Sequence, residues 1–195
     1  MSTITIGLLS DTHIPHRIKR MPSAALKALA GVDLILHAGD VDDPAALEPL
    51  RAIAPVHAVC GNIHLQDFSA GGTTLPAVVE LELVEQHVVL VHGHRPGPLG
   101  FCFKVMGVIA QRFGLTNNGD FNQHIVHRLV QLYPTADVIV FGHTHRAHVE
   151  QAGRTLLVNP GAVCPTRGEQ PTVAWMQLGE GIGEPKVEII SLPAE

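Results

Sequence analysis

Charge is scarce in this chain. Asp, Glu, Lys and Arg make up 16% of its 195 residues, against about 25% in an ordinary globular domain. With 46% apolar residues, this composition argues against intrinsic disorder, which needs low hydrophobicity and high charge. Cations are the scarcer sign: 13 Lys and Arg face 18 Asp and Glu, the net charge is −5, and no basic run occurs. Binding to a nucleic-acid backbone by counterion release is therefore not expected. Cysteine is limited to Cys60, Cys102 and Cys164, far apart and with no Cys-x-x-Cys spacing. That leaves a disulfide scaffold or a zinc ribbon without support. No apolar run approaches the roughly 18 residues of a membrane helix. The N-terminus lacks the basic-then-apolar pattern of a secretory leader. The expectation is a soluble, cytoplasmic, single-domain protein with no membrane partner. Its 19 Gly and 14 Pro are scattered, so no low-complexity segment is indicated.

Histidine is abundant by contrast. There are 13, as many as Lys and Arg combined. Histidine is the commonest metal ligand, so its placement decides what it means.

Apolar runs predict strands at Thr3–Leu9, Asp33–His37, Pro55–Cys60, Ala77–Leu83, His87–Val91 and Asp137–Phe141. Further strands are expected near Ala147–Gln151, Thr155–Val158, Thr172–Leu178 and Lys186–Ile190. Ser23 is placed as the cap of a helix over Ala24–Ala30, and Pro44 opens another that runs to about Ile53. Residues 98–133 read mainly as helix. The first part of the chain alternates strand and helix and implies a parallel sheet. The last part is strand-rich and implies antiparallel pairing. Two sheets packed face to face, with helices outside, accommodate both.

Several of these strands end in metal-ligand residue types. The series is Asp11 and His13, Asp40, Asn62 and His64, His92 and His94, then His143 and His145. In open α/β sheets, ligands bind outside the carboxyl ends of the strands, so these clusters are expected to converge. All the donors are oxygen or imidazole, which suits manganese, iron, zinc or nickel. Residues two apart on extended backbone face the same side. Both members of Asp11/His13 and of His143/His145 can then reach one site or two adjacent ions. Asp40 is suited to bridging, because a carboxylate has two oxygens.

The ordered motifs Asp11-Thr12-His13, Gly39-Asp40, Gly61-Asn62, His92-Gly93-His94 and Gly142-His143-Thr144-His145 resemble the calcineurin-like metallophosphoesterase superfamily. The short length is similar to its small bacterial and archaeal phosphodiesterase branch. This resemblance implies a four-layer αββα sandwich of two mixed β-sheets flanked by helices. It implies two divalent metal ions, with manganese the expected ion. One would be held by Asp11, His13, Asp40 and His145, the other by Asp40, Asn62, His92 and His143. The implied activity is hydrolysis of a phosphate-ester substrate, a diester by family likeness, through in-line attack of a metal-bridging hydroxide.

One position departs from the family pattern. Gly61-Asn62 is followed by Ile63 and His64, so an isoleucine stands where a general-acid histidine is often found. His64 is the candidate replacement as catalytic acid, a role that contributes about 10²–10⁴-fold. The alternative is a scaffold of the same fold with little catalysis, as in the retromer subunit that resembles this family. His94 is a candidate for substrate contact or catalysis beside the metals. Arg167 is a candidate phosphate contact, because its fork of donors matches phosphate. Asn159-Pro160-Gly161-Ala162 resembles the family's Asn-Pro-Gly-Ser turn. Residues 96–133 hold four of the six phenylalanines and are expected to form a helical insertion that serves as lid or homodimer interface. His124 and His127 are read as surface residues, and no partner is evident for His16, His37, His57, His87 or His148.

Overall fold

The computed structural model describes residues 2–61, 75–94, 120–165, 169–180 and 184–193. Asn62, Ile63, His64, Arg167 and most of the expected insertion lie outside the described residues.

Among the described residues, ten strands form two five-stranded sheets. The first sheet contains β1 (Thr3–Leu9), β2 (Leu34–His37), β3 (Val56–Ala58), β9 (Thr172–Gly179) and β10 (Lys186–Ser191). Its order is β10-β9-β1-β2-β3. β1, β2 and β3 run parallel, and β9 and β10 add antiparallel. The second sheet contains β4 (Val78–Leu83), β5 (Gln86–Val91), β6 (Val138–Val140), β7 (His148–Ala152) and β8 (Thr155–Asn159), in the order β4-β5-β6-β8-β7. β5, β6 and β8 run parallel, and the outer strands are antiparallel.

Side-chain alternation builds the layers. Ile6, Leu8, Leu34, Leu36, Ala174 and Met176 of the first sheet share one buried cluster with Val88, Leu90, Val138, Val140, Leu156 and Val158 of the second. The sheets therefore pack face to face. Residues of opposite parity point outward. Ile35 and Val173 pack with helix α1 (Ser23–Ala28) and with α2 (Glu48–Arg51), while Val89, Ile139 and Leu157 pack with α3 (Asp120–Leu132). The central strands are covered on both faces, which is why their sequences read as unbroken apolar runs. The result is the αββα sandwich expected from the sequence.

Local chemistry sets the helix ends. α1 begins at Ser23 with Pro22, not Ser23, at the cap position. The Trp175 indole N–H donates to the Ala28 carbonyl at 2.6 Å and satisfies one of the acceptors a helix C-terminus leaves open. The segment after Asp40 opens as a 3₁₀ turn, Pro44–Leu47, before α2. The Asp43 carboxylate caps it by accepting from the Ala45 N–H at 2.8 Å. Among the described residues, no helix is long and apolar enough to cross a membrane.

Candidate metal centre

The loops after β1, β2, β5 and β6 meet at one rim, at the carboxyl ends of the parallel strands. They interlock across the two sheets. Asp11 N–H donates to the Gly39 carbonyl at 3.0 Å, and His13 N–H to the Asp40 carbonyl at 3.1 Å. From the second sheet, His143 N–H donates to Asp11 Oδ2 at 3.2 Å. His92 Nδ1 lies 2.7 Å from the Ala38 carbonyl oxygen.

The backbone here is left-handed. Asp11, His13, Asp40, His143 and His145 all have φ between 49° and 75°. Such a conformation costs a non-glycine residue about 1–3 kcal/mol and persists only where its surroundings enforce it. The expected face-sharing of Asp11 with His13 and of His143 with His145 assumed extended backbone, and that geometry is not what occurs. The two partners of the second pair in fact diverge. His145 stacks on His13 at a ring separation of 5.4 Å, whereas His143 lies edge-on to His92 at 5.2 Å.

Two clusters result, with Asp40 between them. Asp11, His13, Asp40 and His145 each offer a ligand atom, and these atoms lie within 4.8 Å of one another. Asp40 Oδ2 is 3.5 Å from His13 Nε2, while its Oδ1 is 3.4 Å from His92 Nε2 in the second cluster. His94 joins that second group, 5.4 Å from His92 and 6.3 Å from His143 between ring centres.

The donor atoms are aimed by their other hydrogen bonds. A carbonyl only accepts, so the contact with Ala38 places the His92 proton on Nδ1 and leaves the Nε2 lone pair facing Asp40. Asp11 Oδ2 accepts from His143 N–H and lies 2.5 Å from the Ser10 hydroxyl oxygen, which also contacts the Gly161 carbonyl at 2.6 Å. Asp11 Oδ1 is left without a hydrogen-bond partner and faces His145 Nε2 at 3.2 Å. His13 Nε2 is also buried without a hydrogen-bond partner. Buried lone pairs aimed at one another are costly unless a cation lies among them. The donor set therefore fits a divalent cation.

Titration reflects the same crowding. Burial pushes the Asp11 carboxyl up, but His145, His92 and the Ser10 hydroxyl outweigh it and hold Asp11 well below the usual carboxylate range. Burial also disfavours charge on His145, and Asp11 more than offsets it, so the His145 pKa is raised. His13 is lowered, chiefly by burial, with the Arg17 charge adding to the effect.

Missing side chains make the close approach possible. A Cβ on Gly61 would stand 1.8 Å from Asp40 Oδ1 and 2.4 Å from the Asp40 backbone nitrogen. Gly39 has φ +100°, and a Cβ there would lie 2.5 Å from His92 Nδ1.

Asp11, His13, Asp40, His92, His94, His143 and His145 thus come together at one rim. Sequence reasoning missed the residues that hold them. Asn159 donates to the Gly142 carbonyl and to Thr144 Oγ1, both at 3.0 Å, and accepts from Gly161 N–H at 2.9 Å. The Asn-Pro-Gly-Ala turn is therefore a clasp on the His143–His145 loop. Arg128 of α3 donates to the carbonyls of Gly93 and His94 and steadies the loop after β5. Four histidines read as lacking partners have them: His16 contacts Asp42, His37 contacts Thr12, His87 contacts Glu80 and His148 contacts Glu150. His124 and His127 are exposed on α3, as expected.

Comparison with known proteins yields a consistent set. Residues 4–181 match the family model of the calcineurin-like phosphoesterase superfamily domain. A probable metallophosphoesterase of Methanothermobacter thermautotrophicus is 32% identical over 173 residues, 89% of this chain and 85% of that one. Vps29 of Entamoeba histolytica, in complex with zinc, shares the fold with a TM-score of 0.65 at 18% identity, over 96% of this chain and 99% of that one. A structure described as a novel archaeal phosphodiesterase superposes with a TM-score of 0.63 at 19% identity, covering 97% of this chain and 100% of that one.

Proposed function

The chain belongs to the calcineurin-like phosphoesterase superfamily, and from that premise we propose that it is a phosphodiesterase working with two divalent metal ions. Asp40 carries this conclusion: one carboxylate turns an oxygen toward His13 and the other toward His92, at 3.5 and 3.4 Å. A carboxylate so placed can serve two cations at once. Asp11, His13 and His145 would complete one half, and His92, His143 and Asn62 the other. Manganese is the ion we expect, and iron, zinc and nickel suit the same donors.

The bound ions would supply Lewis-acid polarisation of a phosphoryl oxygen and a water nucleophile at neutral pH. The chain's own residues do the rest. Ser10 and the His143 N–H hold Asp11 in one orientation, and the Ala38 carbonyl does the same for His92. His94, beside His92 and His143, would contact the substrate phosphate. Arg167 is proposed as a second phosphate contact. His64 would give a proton to the departing alcohol, because Ile63 cannot.

Hydrolysis of bis-p-nitrophenyl phosphate by chelator-stripped protein tests this reading. Turnover should appear on adding Mn²⁺ and be lost in Asp40→Asn. Absence of turnover with every divalent ion, despite two ions bound per chain, would overturn it. The second reading, a protein-binding scaffold built around a structural metal site, would then stand. Ile63 and the likeness to Vps29 favour that second reading.

A further inference from the structure

Asp42 lies two residues beyond Asp40 and is buried, with only 3% of its side chain exposed. A carboxylate so buried requires partners. It faces two histidines. Its Oδ2 meets His16 Nδ1 at 2.8 Å, a charge-assisted contact at the surface, where 54% of the His16 side chain is exposed. Its Oδ1 has no hydrogen-bond partner and points at His13 Nδ1, 3.5 Å away. His13 therefore stands between two carboxylates, with Asp42 behind it and Asp40 in front, and its Nε2 is also without a hydrogen-bond partner.

We infer that Asp42 is a positioning residue that turns His13 toward the metal centre, with His16 as the latch that holds Asp42. This rests on the metal-centre reading above. A neutral imidazole carries one N–H. With a cation held among Asp11, Asp40 and His145, the His13 lone pair at Nε2 would be engaged and its proton left on Nδ1, 3.5 Å from Asp42 Oδ1, the acceptor that faces it. Asp42 thereby fixes both the tautomer and the ring plane, the usual work of an outer carboxylate behind a metal-binding histidine. The backbone is arranged for it. His13 N–H is tied to the Asp40 carbonyl, and the Arg17 N–H donates to the His13 carbonyl at 2.8 Å, closing a turn that carries His16 back over Asp42. The neighbouring Asp43 does something else, since it caps the following 3₁₀ turn. Asp42 has no described contact with His92, His94 or His143. Its effect is confined to the half of the site that holds His13.

Co²⁺ titration of the metal-free chain, followed by calorimetry and by visible absorption, reads this directly. Two binding events are expected in the wild type. Asp42→Ala should weaken one of them by about 10–100-fold, alter the absorption of the ion in that half, and leave the other event unchanged. Asp42→Asn should restore most of the affinity, because its amide oxygen still accepts from His13 Nδ1–H. His16→Ala, an exposed change that spares folding, should weaken the same event by a smaller factor. Unchanged binding in Asp42→Ala, equal weakening of both events, or an asparagine variant as impaired as alanine would overturn the inference. If alanine prevents folding, unchanged binding in His16→Ala overturns it instead. A wild-type chain that takes up no Co²⁺ would overturn the metal reading itself, a result distinct from all of these.

Discussion

His37 predicts how this protein responds to acid. It is fully buried behind the candidate metal centre, at the end of β2. Its Nδ1 accepts from the Gly39 N–H at 3.2 Å, so the ring proton sits on Nε2 and is given to Thr12 Oγ1, also at 3.2 Å. A second proton would have to go on Nδ1, where it would confront the Gly39 N–H. Burial pushes the pKa down from an ordinary 6.5 to about 4, against a smaller opposing pull from the Asp11 charge. As pH falls below 6.5 the unfolded imidazole takes a proton that the folded one refuses, so unfolding becomes more favourable. The stabilisation is present in full above 6.5, is lost between 6.5 and 4, and declines no further below. At about 1.4 kcal/mol per pH unit, the loss is about 3 kcal/mol. Urea unfolding of metal-free protein from pH 7 to pH 4 measures it, with His37→Leu as reference. The leucine variant starts lower, by about 1–3 kcal/mol, because the Gly39 N–H loses its acceptor. Its stability should nevertheless fall about 3 kcal/mol less than the wild type's across that range. Contributions from groups that do not interact with His37 are common to both chains and cancel. Parallel pH profiles would refute the reasoning, as would an imidazole resonance of His37 that titrates near 6.5 in the folded protein.

Two further outcomes follow from the geometry around the ligands. Gly61→Ala puts a methyl within 1.8 Å of Asp40 Oδ1 and close to backbone, so the carboxylate must move. We expect a stability loss of about 1–3 kcal/mol and loss of metal-dependent turnover, read by urea unfolding and ester hydrolysis. Asn159→Ala removes the clasp, takes the acceptor from the Gly161 N–H and one of two donors from the Gly142 carbonyl, which keeps the Thr144 N–H. At about 1 kcal/mol or more for each hydrogen bond lost, a loss of about 2–3 kcal/mol is expected in chemical denaturation.

The candidate ligand residues were legible because each stands shortly after a run of apolar residues. A strand buried on both faces announces itself as such a run, and its carboxyl end is where a parallel sheet presents ligands. Asp11 after β1, Asp40 after β2, His92 after β5 and His143 after β6 all follow that logic. What failed was the inference from spacing. The i, i+2 pairs are not extended, and His143 and His145 part company because their loop is left-handed, held so by Asn159 and by contact with Asp11. Backbone handedness at a non-glycine residue is imposed by tertiary contacts, and no local pattern encodes it. The same limit hid Asp42. In sequence it is one of two adjacent aspartates, and nothing distinguishes the one that caps a turn from the one that is buried. The difference appears only when the turn from His13 to Arg17 folds His16 over it. Candidate ligands sit where one strand ends, and a single strand points to them. The residues that aim the ligands need two segments to meet, so they can be read only from the fold.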